Sequence, residues 1–253
     1  MKKNNIHNIP YHLQVLNYSK IIKQNLILKN FYKINYDKIV KIIDKNFENN
    51  KQVQIIELGC GPSFLKEVYP NTIYTDIESH QNCDLVVNAI DMPFDDESIN
   101  FFFLHNVFHH IPNIEKFLVE AKRCLKKGGL IYIIDPHYSY FSKLIYKYFH
   151  HEKFETSLSW KFESNNPQQD SNQALAWIVF ERDYDLFKKK FKNFQIIDKK
   201  YFSFLTYIIS GGFNHNFNLP ILFFKISVFF EKIFKFFMKK YLGLFCEILI
   251  KKL

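Results

Sequence analysis

One short stretch, residues 53–63, constrains the fold more than any other part of this chain. Val53 to Ile56 is an apolar run with β-branched residues, which predicts a buried strand. The strand runs directly into a loop in which Gly59 and Gly61 flank a single residue. Glycine permits a positive φ and carries no Cβ, so a ligand can lie against the backbone of such a loop. We expect a helix at about 64–69 to follow, with its free N–H groups directed at that ligand.

A strand, a glycine loop and a helix in this order form the usual nucleotide cradle of α/β folds. The dinucleotide fingerprint needs a third glycine, and Phe64 stands at that position. Binding of NAD or FAD is therefore disfavoured. For the loop alone the alternative is a plain tight turn, and the segments that follow decide between the two.

Predicted strands and helices alternate after the loop. Residues 72–76 form a short strand that ends in Asp76, at about the distance from Gly59 at which α/β nucleotide sites place a ribose-binding acid. The alternative for Asp76 is a helix N-cap or a turn. Further strands are predicted at 84–88, 99–104 and 130–134, and helices within 11–50 and at 114–125. This alternation predicts a parallel, doubly wound sheet.

From Val53 to Pro136 the chain resembles the class I S-adenosylmethionine (SAM) methyltransferases, continuously and in the expected order. Three motifs carry the resemblance: Glu57-x-Gly59-x-Gly61, the segment 88–94 (similar to the family's D-A-x-x-L-P-F), and His109-His110-Ile111-Pro112. The chain looks like a type 11 methyltransferase of an uncharacterised bacterial branch. This resemblance implies a single α/β domain over 1–253, with a Rossmann-like, doubly wound, seven-stranded sheet whose last strand is antiparallel. Helices at 1–50 would precede a SAM-binding half at 51–135. The family's last two strands would correspond to 195–204 and 244–251, with a helix at 181–193 before them.

The same resemblance implies SAM as the cofactor and methyl transfer as the activity. Asn88 departs from the pattern, because the family has an acid there, but its amide oxygen can still accept from the adenine amino group. Among the residues implied at the cofactor, Glu57 would order the loop, Asp76 would hold the ribose, and Asn88 with Ala89 would frame the adenine. The full set is Glu57, Gly59, Gly61, Asp76, Ile77, Asn88, Ala89 and His105.

The protein must also align an acceptor with the methyl group and, where needed, remove a proton. His109, His110 and His137 are the candidate bases, with no choice made among them, because histidine titrates near neutral pH. Adjacent histidines cannot point the same way on a regular element, so packing is the alternative for either of the first two. No metal is expected, since no spacing typical of metal ligands is found and the acidic run 95–97 fits a surface turn.

Two insertions, 136–180 and 206–243, lie outside the predicted sheet and are expected to be mostly helical. Each should leave from the carboxyl end of a strand, where open α/β sheets bind ligands, and so cover the acceptor side of the site. The first mixes polar and aromatic side chains, which suits a polar acceptor; a structural cap is the alternative. These side chains are His137, Tyr138, Tyr140, His150, His151, Glu152, Trp160, Glu163 and the run 177–183.

The second insertion contains an apolar segment, 219–238, in which charged residues prevent an uncharged run of the roughly 20 residues that a membrane span needs. On a helical projection the phenylalanines lie on one side and the lysines on the other, namely Lys225, Lys232, Lys235 and Lys239. We favour packing on the protein or on a second copy, with the helix roofing the acceptor pocket. An interfacial membrane helix is the alternative. A homodimer and a peripheral membrane contact both stay open.

Composition narrows the partners and the compartment. The net charge of +9 is carried by lysine, with Arg123 and Arg182 as the only arginines, so no nucleic-acid partner is expected. Four scattered cysteines predict neither zinc nor disulfides, and residues 1–10 lack an apolar signal core, which favours the cytoplasm. The expected acceptor is a small molecule, a glycan, a lipid or a lipid-linked glycan. The alternatives to an enzyme are a non-catalytic methyltransferase-like subunit, which Asn88 keeps open, and a peripheral membrane protein held through 219–238.

Overall fold

A computed structural model gives the fold and describes residues 9–48, 53–149, 152–164, 166, 170–213, 217 and 219–253. Its centre is a seven-stranded sheet in the order β3-β2-β1-β4-β5-β7-β6. The strands are β1 (Ile55–Leu58), β2 (Thr72–Asp76), β3 (Leu85–Val86), β4 (Ile99–His105), β5 (Leu125–Pro136), β6 (Phe194–Phe202) and β7 (Phe245–Lys252). Strands β1 to β5 pair in parallel, whereas β7 runs antiparallel to both β5 and β6. The predicted doubly wound sheet with an antiparallel last strand is confirmed.

Helices cover both faces of this sheet. They are α1 (Tyr11–Gln24), α2 (Leu26–Asn46), α3 (Ile114–Cys124), α4 (Tyr140–Phe149), α5 (Leu175–Trp177), α6 (Tyr184–Lys190), α7 (Leu205–Ser210), α8 (Ile221–Ile233) and α9 (Lys235–Phe237). Short 3₁₀ turns lie at Leu65–Glu67 and Phe108–His110, and π turns at Ile178–Arg182 and Met238–Leu242. Across the described part of the chain, no helix combines the length and the apolar character that crossing a membrane requires.

The phenylalanines of β4 explain why the sheet is covered on both faces. Phe101, Phe102 and Phe103 are all fully buried, as expected of a parallel strand between two helical layers. Successive side chains of a strand point to opposite faces. Phe102 accordingly belongs to the core that includes α3, whereas Phe101 and Phe103 belong to the core that includes α2.

Three sequence-based boundaries are wrong. The helix expected at 64–69 is only the 3₁₀ turn Leu65–Glu67, because Pro70 disfavours a helical conformation at the residue before it and β2 starts at Thr72. No helix N-terminus therefore follows the glycine loop in this part of the chain. Strand β3 has two residues instead of five, since it forms the exposed edge of the sheet. The helix expected at 181–193 starts at Leu175 and passes through a π turn before it ends at Lys190.

Both insertions start at the same end of the sheet, the one at which its parallel strands have their carboxyl ends. Pro136 at the end of β5 and Phe202 at the end of β6 both pair with Phe245, the first residue of β7. Because β1, β4, β5 and β6 point the same way, the segments after β5 and β6 leave from the end of the sheet at which β1 enters the glycine loop. The first carries α4 and the second α7 to α9. His150 and His151 lie outside the described residues.

Candidate cofactor and acceptor site

The glycine loop follows β1 in a conformation that requires glycine. Gly59 has φ +67° and Gly61 has φ +45°, both in the left-handed region. A Cβ on Gly59 would lie 2.5 Å from the side chain of Val107, whereas a Cβ on Gly61 would meet only the Tyr11 hydroxyl, at 3.8 Å. The side of the loop that is open to a ligand is therefore the Gly61 side. Gly59 is needed because Val107 packs against it.

Asp76, at the end of β2, is the centre of the hydrogen bonding around this loop. Its Oδ2 accepts from the Gly61 N–H at 2.9 Å and from the Tyr11 hydroxyl at 3.0 Å, and it lies 3.1 Å from His80 Nε2. The carboxylate is buried. Burial and the neighbouring Asp76 raise the pKa of Tyr11 far above its ordinary value, so the hydroxyl stays protonated and donates. Tyr11 thus holds the carboxylate that the sequence assigns to the ribose.

Sequence reasoning missed Tyr11 and His80 as neighbours of Asp76. Tyr11 is the first residue of α1, 65 positions from Asp76, and no local pattern links two residues so far apart. His80 is four residues after Asp76, in a loop without a recognisable motif. Its ring lies 3.8 Å from Cys60 Sγ and packs edge-on against Tyr11, with 5.6 Å between ring centroids.

Glu57 connects β1 to the turn after the loop. Its carboxylate accepts from the Ser63 hydroxyl at 2.9 Å, and Ser63 Oγ is also 3.1 Å from the Tyr36 hydroxyl. Burial raises the pKa of Glu57 to about 8, with the Ser63 bond acting in the opposite direction. The buried Glu57 side chain therefore holds the turn after the loop through its hydrogen bond with Ser63, which suits the ordering role expected of it.

The residues expected at the adenine lie at the ends of β2 and β3. The Ile77 N–H donates to Asp76 Oδ1 at 2.8 Å. Asn88 is exposed, and its Oδ1 accepts from the Ile90 N–H at 3.1 Å in a local turn. Ala89 between them is half-buried. The structure therefore brings Asp76, Ile77, Asn88 and Ala89 to the ends of the adjacent strands β2 and β3.

His105 lies at the end of β4 among aromatic rings. Its ring is 4.7 Å from that of Tyr32 and 6.1 Å from that of Tyr36, and burial lowers its pKa to about 3. Neither ring nitrogen has a hydrogen-bond partner among the described residues, and neither does the next buried acceptor, Asn106 Oδ1. Asn106 has a positive φ of 58°. These unpaired polar atoms beside β1 offer bonds to a polar ligand at the strand ends.

A second polar cluster lies where β4 and β5 end. His109 Nδ1 is 2.9 Å from Asp135 Oδ1, and its Nε2 is 3.4 Å from Glu152 Oε2. His110 Nε2 is 3.6 Å from Glu152 Oε1, and Gln173 Nε2 donates to Glu152 Oε2 at 2.6 Å. Burial disfavours a charged His109 ring, but Asp135 and Glu152 outweigh burial and raise its pKa to about 10. A ring that already carries its proton is a poor base. Sequence analysis singled out Glu152 without linking it to the histidines, and it did not single out Asp135.

His137, the third predicted base, has a different environment. Its Nε2 lies 2.7 Å from the Lys239 carbonyl oxygen, and its ring is 4.4 Å from that of Tyr201. Burial lowers its pKa to about 4, so the ring is neutral and donates to that carbonyl. No contact among the described residues joins it to His109 or His110. It fastens the π turn after α9 to the end of β5.

A cavity of about 370 Å³ opens beside Glu152. Tyr138, Phe154 and Tyr146 form one wall, with Tyr138 and Tyr146 each stacked on Phe154 at ring-centroid distances of 5.5 and 5.2 Å. The other lining residues are Lys143, Lys147, Glu152, Lys153 and Thr156. Stacked rings and three ammonium groups therefore surround a space that reaches the second polar cluster.

Comparison with known proteins agrees with this geometry. Residues 56–133 match the methyltransferase domain family. The uncharacterized protein MJ1123 of Methanocaldococcus jannaschii is 32% identical over 190 residues, which is 65% of this chain and 86% of that protein. A second uncharacterized protein of this archaeon, MJ0638, is 30% identical over 105 residues, so the chain spans about half the length of that relative, 46%.

Solved structures similar to this chain include two SAM-dependent methyltransferases. A SAM-dependent methyltransferase from Archaeoglobus fulgidus has a TM-score of 0.49 at 13% identity, covering 86% of this chain and 94% of that one. A SAM-dependent methyltransferase from Thermotoga maritima, described as a possible histamine N-methyltransferase, has a TM-score of 0.49 at 16% identity over 86% and 89% of the two chains.

The chain therefore belongs to the class I SAM-dependent methyltransferases, the family of MJ1123. SAM is accordingly its cofactor. The residues present fit it: a loop open at Gly61, a carboxylate at the end of β2, and unpaired polar atoms at His105 and Asn106. The two curated relatives are archaeal, so the resemblance is not confined to bacteria.

Proposed function

We propose that the protein methylates an acceptor that carries an anionic group and binds in the cavity beside Glu152. The observation that carries this proposal is the lining of the cavity. Lys143, Lys147 and Lys153 attract a phosphate or carboxylate, because ammonium groups in a concave site focus a positive potential on its contents. The acceptor atom that receives the methyl group then lies next to Glu152.

The aromatic wall of the cavity narrows the class of acceptor further. Tyr138, Phe154 and Tyr146 present flat apolar surface beside polar groups, which suits a sugar ring with an apolar face and hydroxyl edges. SAM supplies the electrophilic methyl group when it is bound. The chain's own task is to hold the acceptor in line with that methyl group and keep water away. An anionic glycan, free or linked to a lipid phosphate, meets all of these requirements.

The experiment is a transfer assay with methyl-labelled SAM and paired acceptors that differ only in a phosphate or carboxylate. We expect the anionic member of each pair to have the higher kcat/KM. Changing Lys143, Lys147 and Lys153 together to Gln should reduce that preference at least tenfold while SAM affinity is unchanged. Equal rates for neutral and anionic acceptors would contradict the anionic acceptor. SAM binding without transfer to any acceptor would favour the non-catalytic subunit.

We also propose that the acceptor is reached at a membrane surface, through an apolar face formed by α8, α9 and the turn that follows them. Within α8 the buried residues are Phe224 and Ser227, and most of its other side chains are exposed, which supports a partner outside the chain for this helix. The apolar face consists of the exposed side chains Leu222, Phe223, Ile226, Phe229, Phe230, Ile233, Phe234, Phe236, Phe237 and Tyr241. Phe236 is 93% exposed. A contiguous surface of this kind marks an interaction site.

Helix α4 extends the apolar face towards the cavity. Tyr140 stacks on Tyr241 with 5.7 Å between ring centroids, and Leu144 and Tyr148 of α4 are more than half exposed. Lys143 and Lys147 of the same helix line the cavity. A lipid under this face would therefore bring its head group close to the cavity.

Charge favours an anionic bilayer over a second copy of the chain. Between 219 and 242 the acidic residue is Glu231, and its carboxylate accepts from the backbone N–H groups of Phe204 and Thr206. The lysines of the segment are Lys225, Lys232, Lys235, Lys239 and Lys240. Lys239 is paired with Glu181 at 3.3 Å, but in a twofold dimer the same patch faces itself, so the other lysines would oppose lysines. An anionic lipid surface complements them.

Changing Lys225, Lys232, Lys235 and Lys239 together to Gln should weaken binding to phosphatidylserine-containing vesicles at least tenfold. Each cation near an anionic surface contributes about 1 kcal/mol. Vesicle sedimentation measures this. A matched control changes Lys122, Lys126, Lys127 and Lys192, exposed lysines elsewhere on the surface, and should bind as the unchanged protein does. Equal losses in both variants would mean a general charge effect. A stable dimer in sedimentation velocity, without vesicle binding, would assign the apolar face to a second copy.

A further inference from the structure

The second polar cluster has the spacing of a metal site. One ligand atom each from His109, His110 and Glu152 lies within 4.8 Å of the others. The two imidazole Nε2 atoms are 3.4 and 3.6 Å from the oxygens of Glu152, longer than good hydrogen bonds of about 2.7–3.2 Å. In a tetrahedral site with Zn–N and Zn–O distances of about 2.0–2.2 Å, neighbouring ligand atoms are roughly 3.4 Å apart. Each imidazole nitrogen therefore lies at about a ligand–ligand distance from a Glu152 oxygen, a different oxygen in each case, and the three side chains are close enough to share one ion.

The residues behind these three side chains orient them. Asp135 Oδ1 lies 2.9 Å from His109 Nδ1, which fixes the ring so that Nε2 faces Glu152. A carboxylate behind a ligating imidazole is the usual support of a protein-bound metal. Asp135 is fully buried, and its Oδ2 has no hydrogen-bond partner in the described part of the chain. Gln173 Nε2 donates to Glu152 Oε2 and orients that carboxylate.

The charges of the cluster also suit a divalent cation. Two carboxylates, Asp135 and Glu152, face two imidazoles, so one doubly charged ion that displaces the proton from His109 Nε2 balances the site. Imidazole and carboxylate ligands together suit first-row ions such as Zn²⁺, Co²⁺ and Mn²⁺. Three protein ligands leave the fourth position of a tetrahedral ion open. Because Glu152 also lines the cavity, that position borders the acceptor.

We propose that His109, His110 and Glu152 bind one divalent first-row metal ion that coordinates the acceptor oxygen. Coordination lowers the pKa of the acceptor hydroxyl, whose proton passes to solvent water. The oxygen then forms a bond to the SAM methyl carbon as the sulfur–methyl bond breaks, leaving S-adenosylhomocysteine, the methyl ether and one proton. Binding of the ion does not depend on the proposed function, whereas the role of the ion towards the acceptor rests on that function.

The test measures metal binding without SAM or acceptor, so that its failure is distinct from a failure of methyl transfer. The full chain, stripped with a chelator, is titrated with Zn²⁺ by calorimetry, and bound metal is counted by atomic emission. We expect one equivalent. His110→Gln and Glu152→Gln should each weaken binding at least tenfold. Asp135→Asn should weaken it about 10- to 100-fold, although Asp135 is not a ligand. His12→Gln, a change of an exposed histidine, should have no effect.

Circular dichroism of each variant, recorded in chelator, distinguishes the loss of a metal ligand from the loss of folded structure.

The chain also offers Cys60, Asp76 and His80 as a second group of potential ligands. Asp76 Oδ2 already accepts from Tyr11 and Gly61 there, so an ion would have to displace these donors. Zinc binding abolished by His80→Gln but kept in His110→Gln would place the ion at this second group and overturn the proposal. So would a folded, unchanged protein that binds no Zn²⁺, Co²⁺ or Mn²⁺.

Discussion

Replacing Asp76 with alanine is expected to weaken SAM binding roughly 10- to 100-fold. A carboxylate that accepts charge-assisted hydrogen bonds contributes about 1.5–3 kcal/mol, and each 1.4 kcal/mol is a tenfold change in Kd. Asp76 stands at the end of β2 and also holds the Gly61 N–H, so its loss removes both the ribose acceptor and a support of the loop. Isothermal titration calorimetry with SAM measures the change. An unchanged Kd would show that Asp76 does not bind the cofactor.

Tyr11→Phe is the matched control, because the two variants are expected to change SAM affinity in opposite directions. The Tyr11 hydroxyl donates to Asp76 Oδ2 at 3.0 Å, at the atom that ribose hydroxyls would use. Removing the hydroxyl takes away a competing donor and leaves the ring in place against His80. SAM affinity should therefore be kept or rise several-fold. A loss as large as that of Asp76→Ala would mean that both variants act by disturbing α1.

Gly59→Val is expected to destabilise the fold by about 3 kcal/mol or more. Left-handed backbone costs a non-glycine residue about 1–2 kcal/mol, and an overpacked core typically costs another 1–3 kcal/mol. Gly59 has φ +67°, and a Cβ there would lie 2.5 and 2.8 Å from the two methyl carbons of Val107. Urea unfolding followed by circular dichroism measures the loss. The sequence alone suggested a ligand beside this loop, whereas the structure places Val107 in the space beside Gly59.

The double variant Gly59→Val with Val107→Ala tests the cause. Removing the two Val107 methyl groups relieves the closest contacts, so part of the stability should return while the cost of positive φ remains. Gly61→Ala is the control, since its Cβ would meet nothing nearer than 3.8 Å and should cost only the backbone term, about 1–2 kcal/mol. Equal stabilities for Gly59→Val and Gly61→Ala would contradict the assigned role of Val107.

The sequence was sufficient for the parts of the fold that local patterns encode. Strand β2 was predicted with its exact bounds because a β-branched run ends there in an acid, and the order of elements followed from their alternation. The family resemblance added the antiparallel β7. Local patterns failed where a neighbour decides the outcome. The short turn at Leu65–Glu67 depends on Pro70 and on the start of β2, and the two-residue β3 depends on its position at the sheet edge.

The candidate site shows the same division. Asp76 and the glycines are recognisable from spacing, because their roles follow from the turn in which they lie. The Tyr11–Asp76 bond and the placement of Glu152 beside His109 join residues 65 and 43 positions apart, and no periodicity specifies such contacts. His137 carried a plausible residue type, yet the segment after α9 uses its ring as a hydrogen-bond donor. Residue type alone therefore does not distinguish a catalytic base from a histidine that makes a structural hydrogen bond.

The position of β7 in the sheet affects how the chain can fold during its synthesis. β7 lies between β5 and β6, so β6 has no neighbour to pair with until residues 245–252 have been made. In that interval the ribosome releases α8 and α9, whose apolar side chains find few contacts on the rest of the chain. An unpaired strand and an uncovered apolar helix coexist in the nascent protein, and both promote association with the wrong partner. Pairing of β7 with both β5 and β6 therefore completes the sheet and ends the interval in which β6 has no neighbour.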